Sequence, residues 1–173
     1  GSGRGFQTTM HIGRYEILEE LGRGAMGAVY KARYPEIGRI VAIKVILTAN
    51  LSPPDLEHYK QRFHREAQTA GQMSHPGIVT IHDIAEDETG RPYLVMEFVE
   101  GTNLEGLLRP AAGGQQRGAG APGGQLSLDQ ALDIAIQVAD ALDYAHRRNV
   151  IHRDIKPSNI LIAEEQSPSA EAK

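Results

Sequence analysis

Residues 22–32 read Gly22-Arg23-Gly24-Ala25-Met26-Gly27-Ala28-Val29-Tyr30-Lys31-Ala32. Three glycines at the spacing G-x-G-x-x-G let a backbone turn tightly and approach phosphate oxygens with no Cβ in the way. The same spacing opens the dinucleotide-binding turn, but that turn leads straight into a helix. Here Ala28 to Arg33 alternates apolar and polar residues, the period of a strand. The dinucleotide fold, and NAD binding with it, is therefore disfavoured. G-x-x-x-x-G-K-[ST] is absent, so this is not the P-loop of NTPases. What remains is a glycine turn joining two antiparallel arms, Tyr15 to Leu21 and Ala28 to Arg33. Taken alone, the glycines read equally well as a plain hairpin turn.

Outward from that hairpin, Ile40 to Leu47 is a third strand, rich in β-branched residues and carrying one lysine, Lys44. Gly38 marks the turn before it. Ser52-Pro53-Pro54-Asp55 supplies a helix N-cap, a proline at the first helical position and an acid in the first turn. Leu56, Tyr59, Phe63, Ala67 and Ala70 then recur at three and four residues, and Gly71 weakens the helix at its end. Ile78 to Ile84 and Tyr93 to Phe98 are two more strands, joined by the turn-forming run Asp87-Glu88-Thr89-Gly90-Arg91-Pro92. Five strands with one helix after the third make an antiparallel α+β domain rather than a βαβ one.

The composition changes at Gly101. Asn103 to Arg109 is a short helix. Pro110 to Gln125 is a Gly/Ala/Pro/Gln tract that cannot bury enough apolar surface to order itself, and it is expected to be a flexible insertion. Ser127 with Gln130 three residues on forms a capping box for a long helix. Leu128, Leu132, Ala135, Ala139 and Leu142 are its expected buried stripe. Val150-Ile151 and Ile160-Leu161-Ile162 read as short strands flanking the polar loop His152-Arg153-Asp154-Ile155-Lys156-Pro157-Ser158-Asn159. Ala163 to Lys173 is polar and expected to be mobile, as is Gly1 to Thr9, which reads as a tag or leader.

The 173 residues carry a formal net charge of −4, which argues against a nucleic-acid partner. No apolar run reaches the ~18 residues of a membrane span. No cysteine is present, so disulfides and thiolate metal sites are excluded. This fits a cytoplasmic protein and leaves open an anchor beyond residue 173. His58, His64, His75, His82 and His146 share no metal-site spacing.

Two oddities sit in the first half. Lys44 ends an apolar strand, where a buried ammonium needs an anion. Glu66 shares its helix with Tyr59, Phe63 and Ala70 at helical spacings, so it borders the apolar face. A buried Lys44–Glu66 pair would explain both. The plain alternatives are a lysine reaching water and a glutamate paired with Arg62 or Arg65. In the second half, the polar loop holds a carboxylate, a cation and an amide at short spacings, the trio that phosphoryl transfer requires.

With these motifs in this order, residues 12–162 resemble the eukaryotic-like protein kinases, and the bacterial Ser/Thr kinases most of all. The resemblance implies the protein-kinase-like α+β fold: a five-stranded antiparallel N-lobe with one helix over residues 10–100, and over 101–173 the first helices and catalytic loop of a helical C-lobe. It implies that Gly22, Gly24 and Gly27 cover the ATP phosphates and that Lys44, held by Glu66, contacts the α- and β-phosphates. Met96 resembles the gatekeeper, Glu97 and Val99 the hinge residues that meet adenine. Leu21, Val29, Ala42 and Leu161 would sandwich the purine. Asp154 would accept the substrate hydroxyl proton, Lys156 would stabilise the transferring phosphoryl group, and Asn159 would hold Mg²⁺. Lys156 is similar to its counterpart in Ser/Thr rather than tyrosine kinases, and Arg153 resembles that of kinases switched by loop phosphorylation. His152 reads as a packing residue.

The implied function is transfer of the ATP γ-phosphoryl group to Ser or Thr hydroxyls of proteins, with Mg²⁺. The chain departs from the family after Asn159, since Ala163 to Lys173 contains no aspartate and hence no Asp-Phe-Gly. A kinase fragment is the preferred reading, inactive by itself; the alternative is a catalytically inactive ATP-binding or interaction module. Residues 127–146 are expected to lack part of their cover. Each exposed Leu or Ile forfeits about 1.5–3 kcal/mol, against a typical total of about 5–15 kcal/mol. Self-association through that helix, or poor folding of the last third, is the expected consequence.

Overall fold

The computed structural model describes residues 10–24, 27–46, 52–109 and 126–164. The leader at 1–9, the insertion at 110–125 and the tail from 165 lie outside the described residues. Contacts within the chain divide it into two compact units, with the division between Phe98 and Val99.

The first unit is one antiparallel sheet. Its strands are β1 (His11–Ile12), β2 (Tyr15–Arg23), β3 (Gly27–Tyr34), β4 (Arg39–Ile46), β5 (Ile81–Glu86) and β6 (Pro92–Glu97), in the order β1-β2-β3-β4-β6-β5. Six strands stand where the sequence pattern gives five. The additional one, β1, is two residues long, too short for any periodicity to signal. The fourth expected strand also begins later than Ile78, because Ile78 N–H closes a turn on the carbonyl of His75 at 3.0 Å.

The register sorts the sheet into two faces. Ala28, Tyr30 and Ala32 of β3, Val41 and Ile43 of β4, and Tyr93 and Val95 of β6 build the core with Ile12 and Tyr15. Tyr15 and Tyr93 meet edge to face at 6.3 Å between ring centroids, a favoured aromatic geometry. The other face carries Gly27, Val29 and Lys31, then Ala42, Lys44 and Ile46, then Leu94 and Met96. The turn between β5 and β6 is built on Asp87. Its carboxylate accepts from Thr89 N–H at 2.9 Å, Thr89 Oγ1 at 2.6 Å, Arg91 N–H at 3.0 Å and Arg91 Nε at 2.8 Å. Burial pushes this carboxyl up, but the hydrogen bonds from Thr89 and Arg91 together outweigh it and hold it below the usual aspartate range.

Helix α1 (Pro53–Gly71) starts where the sequence places it. Ser52 caps the Asp55 N–H and Pro53 occupies the first turn, where its missing N–H costs nothing. Ala67 is buried, Leu56, Tyr59, Phe63 and Ala70 are half-buried, and the helix packs on β5.

The second unit begins with β7 (Gly101–Asn103) and α2 (Leu104–Leu108), whose N-cap Asn103 accepts from Gly106 N–H at 2.7 Å. Helix α3 (Leu128–Arg147) opens with the expected capping box, Gln130 N–H to Ser127 Oγ at 3.1 Å and Ser127 N–H to Gln130 Oε1 at 3.0 Å. A 3-10 turn (Pro157–Asn159) and β8 (Leu161–Ala163) follow.

Two expectations are corrected here. Val150-Ile151 is not a strand. Asn149 takes φ +60°, its N–H bonds the His146 carbonyl at 2.9 Å, and Val150 N–H bonds the Ala145 carbonyl at 3.0 Å. That is a Schellman stop for α3, so the backbone of these residues is spent on the helix end. β8 pairs antiparallel with β7, Gly101 opposite Ala163 and Asn103 opposite Leu161. The buried stripe of α3 is also rotated. Ala141 and Ala145 are buried with Ile134 and Val138 half-buried, whereas Leu128, Leu132, Ala135 and Ala139 are exposed and only Leu142 of the expected set is half-buried. Two flanks of α3 are apolar, so a 3.6-residue period fits either and cannot choose between them. No described helix is long and apolar enough to cross a membrane.

Candidate functional site

In the first unit the three glycines have different surroundings. A Cβ on Gly27 would run into the backbone carbonyl of Val45 on β4, so this glycine is demanded by the sheet itself. Among the described residues, nothing lies within 4 Å of the corresponding position at Gly22 or Gly24. Their backbone is open to an incoming group, and Gly24 N–H closes the hairpin on the Gly27 carbonyl at 2.8 Å.

Val29 stands opposite Lys44, and Ala42 stands opposite Met96. The antiparallel register thus brings Val29, Ala42, Lys44 and Met96 onto one face, the one turned from the aromatic core. Ala42 is buried, Val29 and Met96 are half-buried, and Lys44 is exposed. Leu21, at the bulged end of β2, is 43% exposed. Glu97 lies on the core-facing side and clamps the chain before β5: its Oε1 accepts from Thr80 N–H at 2.7 Å, and its own N–H donates to the Thr80 carbonyl at 2.9 Å.

The expected buried Lys44–Glu66 pair is not formed. Glu66 Oε1 instead accepts from Arg62 Nε at 2.8 Å, one turn back on α1, and its side chain is 65% exposed. Among the described residues Lys44 has no ion pair. An (i, i+4) partner is always within reach on a helix, whereas a pairing with β4 depends on how the helix is set against the sheet. The plain alternative for Glu66 is what the structure holds.

In the second unit the predicted residues do meet. Asn159 Nδ2 donates to the Asp154 carbonyl at 2.8 Å and to Asp154 Oδ2 at 3.2 Å, while Lys156 Nζ stands 3.5 Å from the same Oδ2. The 3-10 turn makes this possible. Pro157 starts it, and Asn159 N–H closes on the Lys156 carbonyl at 2.9 Å, folding the amide back toward Asp154. The turn is held in place by Leu104 N–H, which bonds the Ile160 carbonyl at 2.8 Å. All three side chains are exposed. Leu161 follows on β8, 49% exposed, and Val99 is half-buried at the start of the unit.

Two contributors to this loop go beyond the sequence reading. Arg153, just before Asp154, has φ +67°, a conformation unfavourable for a side chain with a Cβ and characteristic of constrained functional loops. His152 is exposed rather than packed, and its Nδ1 accepts from Asp154 N–H at 3.2 Å, fixing the backbone of the carboxylate residue. The i to i+2 spacing of a side-chain acceptor and a backbone donor was the available signal.

A further residue escaped the sequence reading altogether. Arg23, between two of the glycines, donates through Nε to Glu20 Oε1 at 2.6 Å and through a terminal nitrogen to Tyr30 Oη at 3.0 Å.

Comparison with known proteins agrees with this geometry. The protein kinase domain family matches residues 15–170, and the chain belongs to that family. It is 43% identical over 154 residues to the serine/threonine-protein kinase PknF of Mycobacterium tuberculosis, covering 89% of this chain and 29% of that protein. To PknJ of the same organism it is 43% identical over 149 residues, 86% of this chain and 22% of PknJ. Among solved structures it resembles the M. tuberculosis PknI kinase domain, with a TM-score of 0.67 at 29% identity over 91% of this chain and 58% of that one. The chain thus spans less than a third of the curated relatives it matches. Protein kinases as a family use ATP and Mg²⁺.

Proposed function

We propose that this chain is the nucleotide-binding and catalytic-loop portion of a protein Ser/Thr kinase, transferring the γ-phosphoryl group of ATP to Ser or Thr hydroxyls of protein substrates in the cytoplasm. The observation that carries the reading is the cluster of Asp154, Lys156 and Asn159, an acceptor, a cation and an amide gathered around one carboxylate oxygen. In the proposed mechanism Asp154 orients the attacking hydroxyl and takes its proton. Lys156, already beside that carboxylate, stabilises negative charge on the transferring group. Gly22 and Gly24 offer backbone with no Cβ obstruction to the phosphates. Lys44 supplies a second cation to the α- and β-phosphates, and Glu66 holds it once Arg62 releases the glutamate. Leu21, Val29, Ala42 and Met96 give the purine apolar surface, and the backbone at Glu97 gives it polar contacts.

One side-chain oxygen in this loop is of the kind a hard cation takes. Asn159 spends its amide nitrogen on Asp154, which leaves its side-chain carbonyl oxygen as the atom available to Mg²⁺. When bound with the nucleotide, Mg²⁺ would neutralise phosphate charge. The exposed Leu128, Leu132 and Ile136 of α3 are the surface through which the isolated 173-residue chain is expected to self-associate. The test of the main reading is phosphate transfer from labelled ATP to a protein substrate by the full-length protein. Loss of transfer in Asp154→Asn is expected; full activity in that variant overturns the assignment.

A further inference from the structure

An arginine between the glycines of a phosphate-binding turn would ordinarily be read as a ligand for the phosphates. The structure places its charge elsewhere. Arg23 is paired across the hairpin with Ala28, whose side chain belongs to the aromatic core face, opposite the face of Val29 and Lys44. The guanidinium follows that direction. It bonds Glu20 at 2.6 Å and the hydroxyl of Tyr30 at 3.0 Å. Glu20 and Tyr30 are themselves register partners on β2 and β3. Tyr30 is 7% exposed and built into the core.

Two further features define the task. The β2–β3 register shifts between Glu20 and Gly22, and beyond that irregularity the ladder has only two partner pairs, Gly22 with Val29 and Arg23 with Ala28. Gly22 and Gly24 carry no side chains to pin that end by packing. Arg23 is the one side chain between them, and it is fastened at two points to the rigid part of the sheet.

We propose that Arg23 is a positioning residue: a strut from the glycine turn to Tyr30 and Glu20 that holds the Gly22 and Gly24 backbone in place to receive the nucleotide phosphates, without touching them. This rests on the proposed ATP-binding function of the same face. The strut sets how much ordering the turn must undergo on binding, so its removal weakens nucleotide binding more than it slows turnover. Because the contacts are partly exposed, the effect is modest, about three-fold for the whole strut.

The experiment measures the Kd of a fluorescent ATP analogue and the KM and kcat for ATP in the full-length protein. It compares the wild type with Arg23→Ala, Tyr30→Phe and the double variant. Arg23→Ala is expected to raise Kd and KM about three-fold with kcat changed less. Tyr30→Phe, which deletes one hydroxyl and keeps the ring, is expected to reproduce part of that rise. The double variant is expected to be no worse than Arg23→Ala alone, and Arg23→Lys to recover part of the loss through Glu20. Unchanged nucleotide affinity in Arg23→Ala, beside a wild type that binds, overturns the strut alone. A large rise in Kd in Arg23→Ala with none in Tyr30→Phe and additive effects in the double variant also overturns it, in favour of direct phosphate contact. A wild type that binds no nucleotide overturns the strut together with the functional reading beneath it.

Discussion

The loop around Asp154 and the pair expected between Lys44 and Glu66 rest on the same kind of sequence reasoning, and the structure treats them oppositely. Asp154, Lys156 and Asn159 lie within one short loop, and a single 3-10 turn brings them together. Lys44 and Glu66 lie on a strand and a helix separated by a long stretch of chain, and Glu66 turns to Arg62 on its own helix. Contacts set by local backbone geometry follow from spacing. Contacts between elements follow from packing, which competes with whatever partner the helix supplies at four residues' distance. The Asp87 turn belongs with the first kind: its four hydrogen bonds come from residues two and four positions on.

The sharpest way to break this comparison is at Asp154. Replacing it with Asn keeps the shape but removes the proposed base, and transfer by the full-length protein is expected to fall about 10²–10⁴-fold in kcat, measured with labelled ATP. Unchanged kcat would place the catalytic base elsewhere.

The next effect is structural and separates the glycines. Gly27→Ala drives a Cβ into the Val45 carbonyl and is expected to destabilise the first unit by about 1–3 kcal/mol in denaturant unfolding. Gly24→Ala, with open space around it, is expected to leave stability nearly unchanged. Equal losses at both positions would show that the turn, rather than the close approach of β4, dictates the glycines.

Asp87 gives a smaller and pH-dependent effect. Its folded-state carboxyl is held low, so its contribution is present above the ordinary unfolded aspartate value, about 3.9. That contribution is lost as pH falls through the depressed folded value. The wild type is therefore expected to lose more melting temperature below about pH 4 than Asp87→Asn does. Parallel curves would mean that the turn hydrogen bonds do not favour the charged form.

Arg62→Ala is expected to change least. The Arg62–Glu66 pair is well exposed, so melting temperature stays where it is while Glu66 is freed. If Lys44 is the destination of Glu66 in the nucleotide-bound protein, this variant binds the fluorescent ATP analogue no more weakly than the wild type. A loss of affinity would show that Arg62 serves the site directly.

The hairpin and the helix N-caps were legible because each depends on residues close in sequence or on the two-residue period of strands, whereas Val29, Ala42 and Met96 were singled out only by the family resemblance. What stayed hidden has identifiable causes. β1 is too short to show a period. α3 is apolar on two flanks, so the pattern pointed to Leu128 and Leu132 while the structure buries Ala141 and Ala145. Val150 looked like a strand residue because an apolar side chain after a helix is also what a Schellman stop requires. Arg23 was passed over because its partners, Glu20 and Tyr30, become neighbours only once the hairpin pairs with the observed bulge.

The aromatic core of the sheet has a spectroscopic consequence. The chain has six tyrosines and no tryptophan. Tyr15, Tyr30, Tyr34, Tyr59 and Tyr93 all lie before Phe98, three of them buried in the core, and only Tyr144 lies after it. Intrinsic fluorescence and near-ultraviolet dichroism therefore report almost entirely on the first unit. Far-ultraviolet dichroism, in contrast, draws on the helices of both. Comparing the two signals during unfolding would follow the melting of each unit without a label, and a tryptophan placed after Phe98 would give the Asp154 loop a colour of its own.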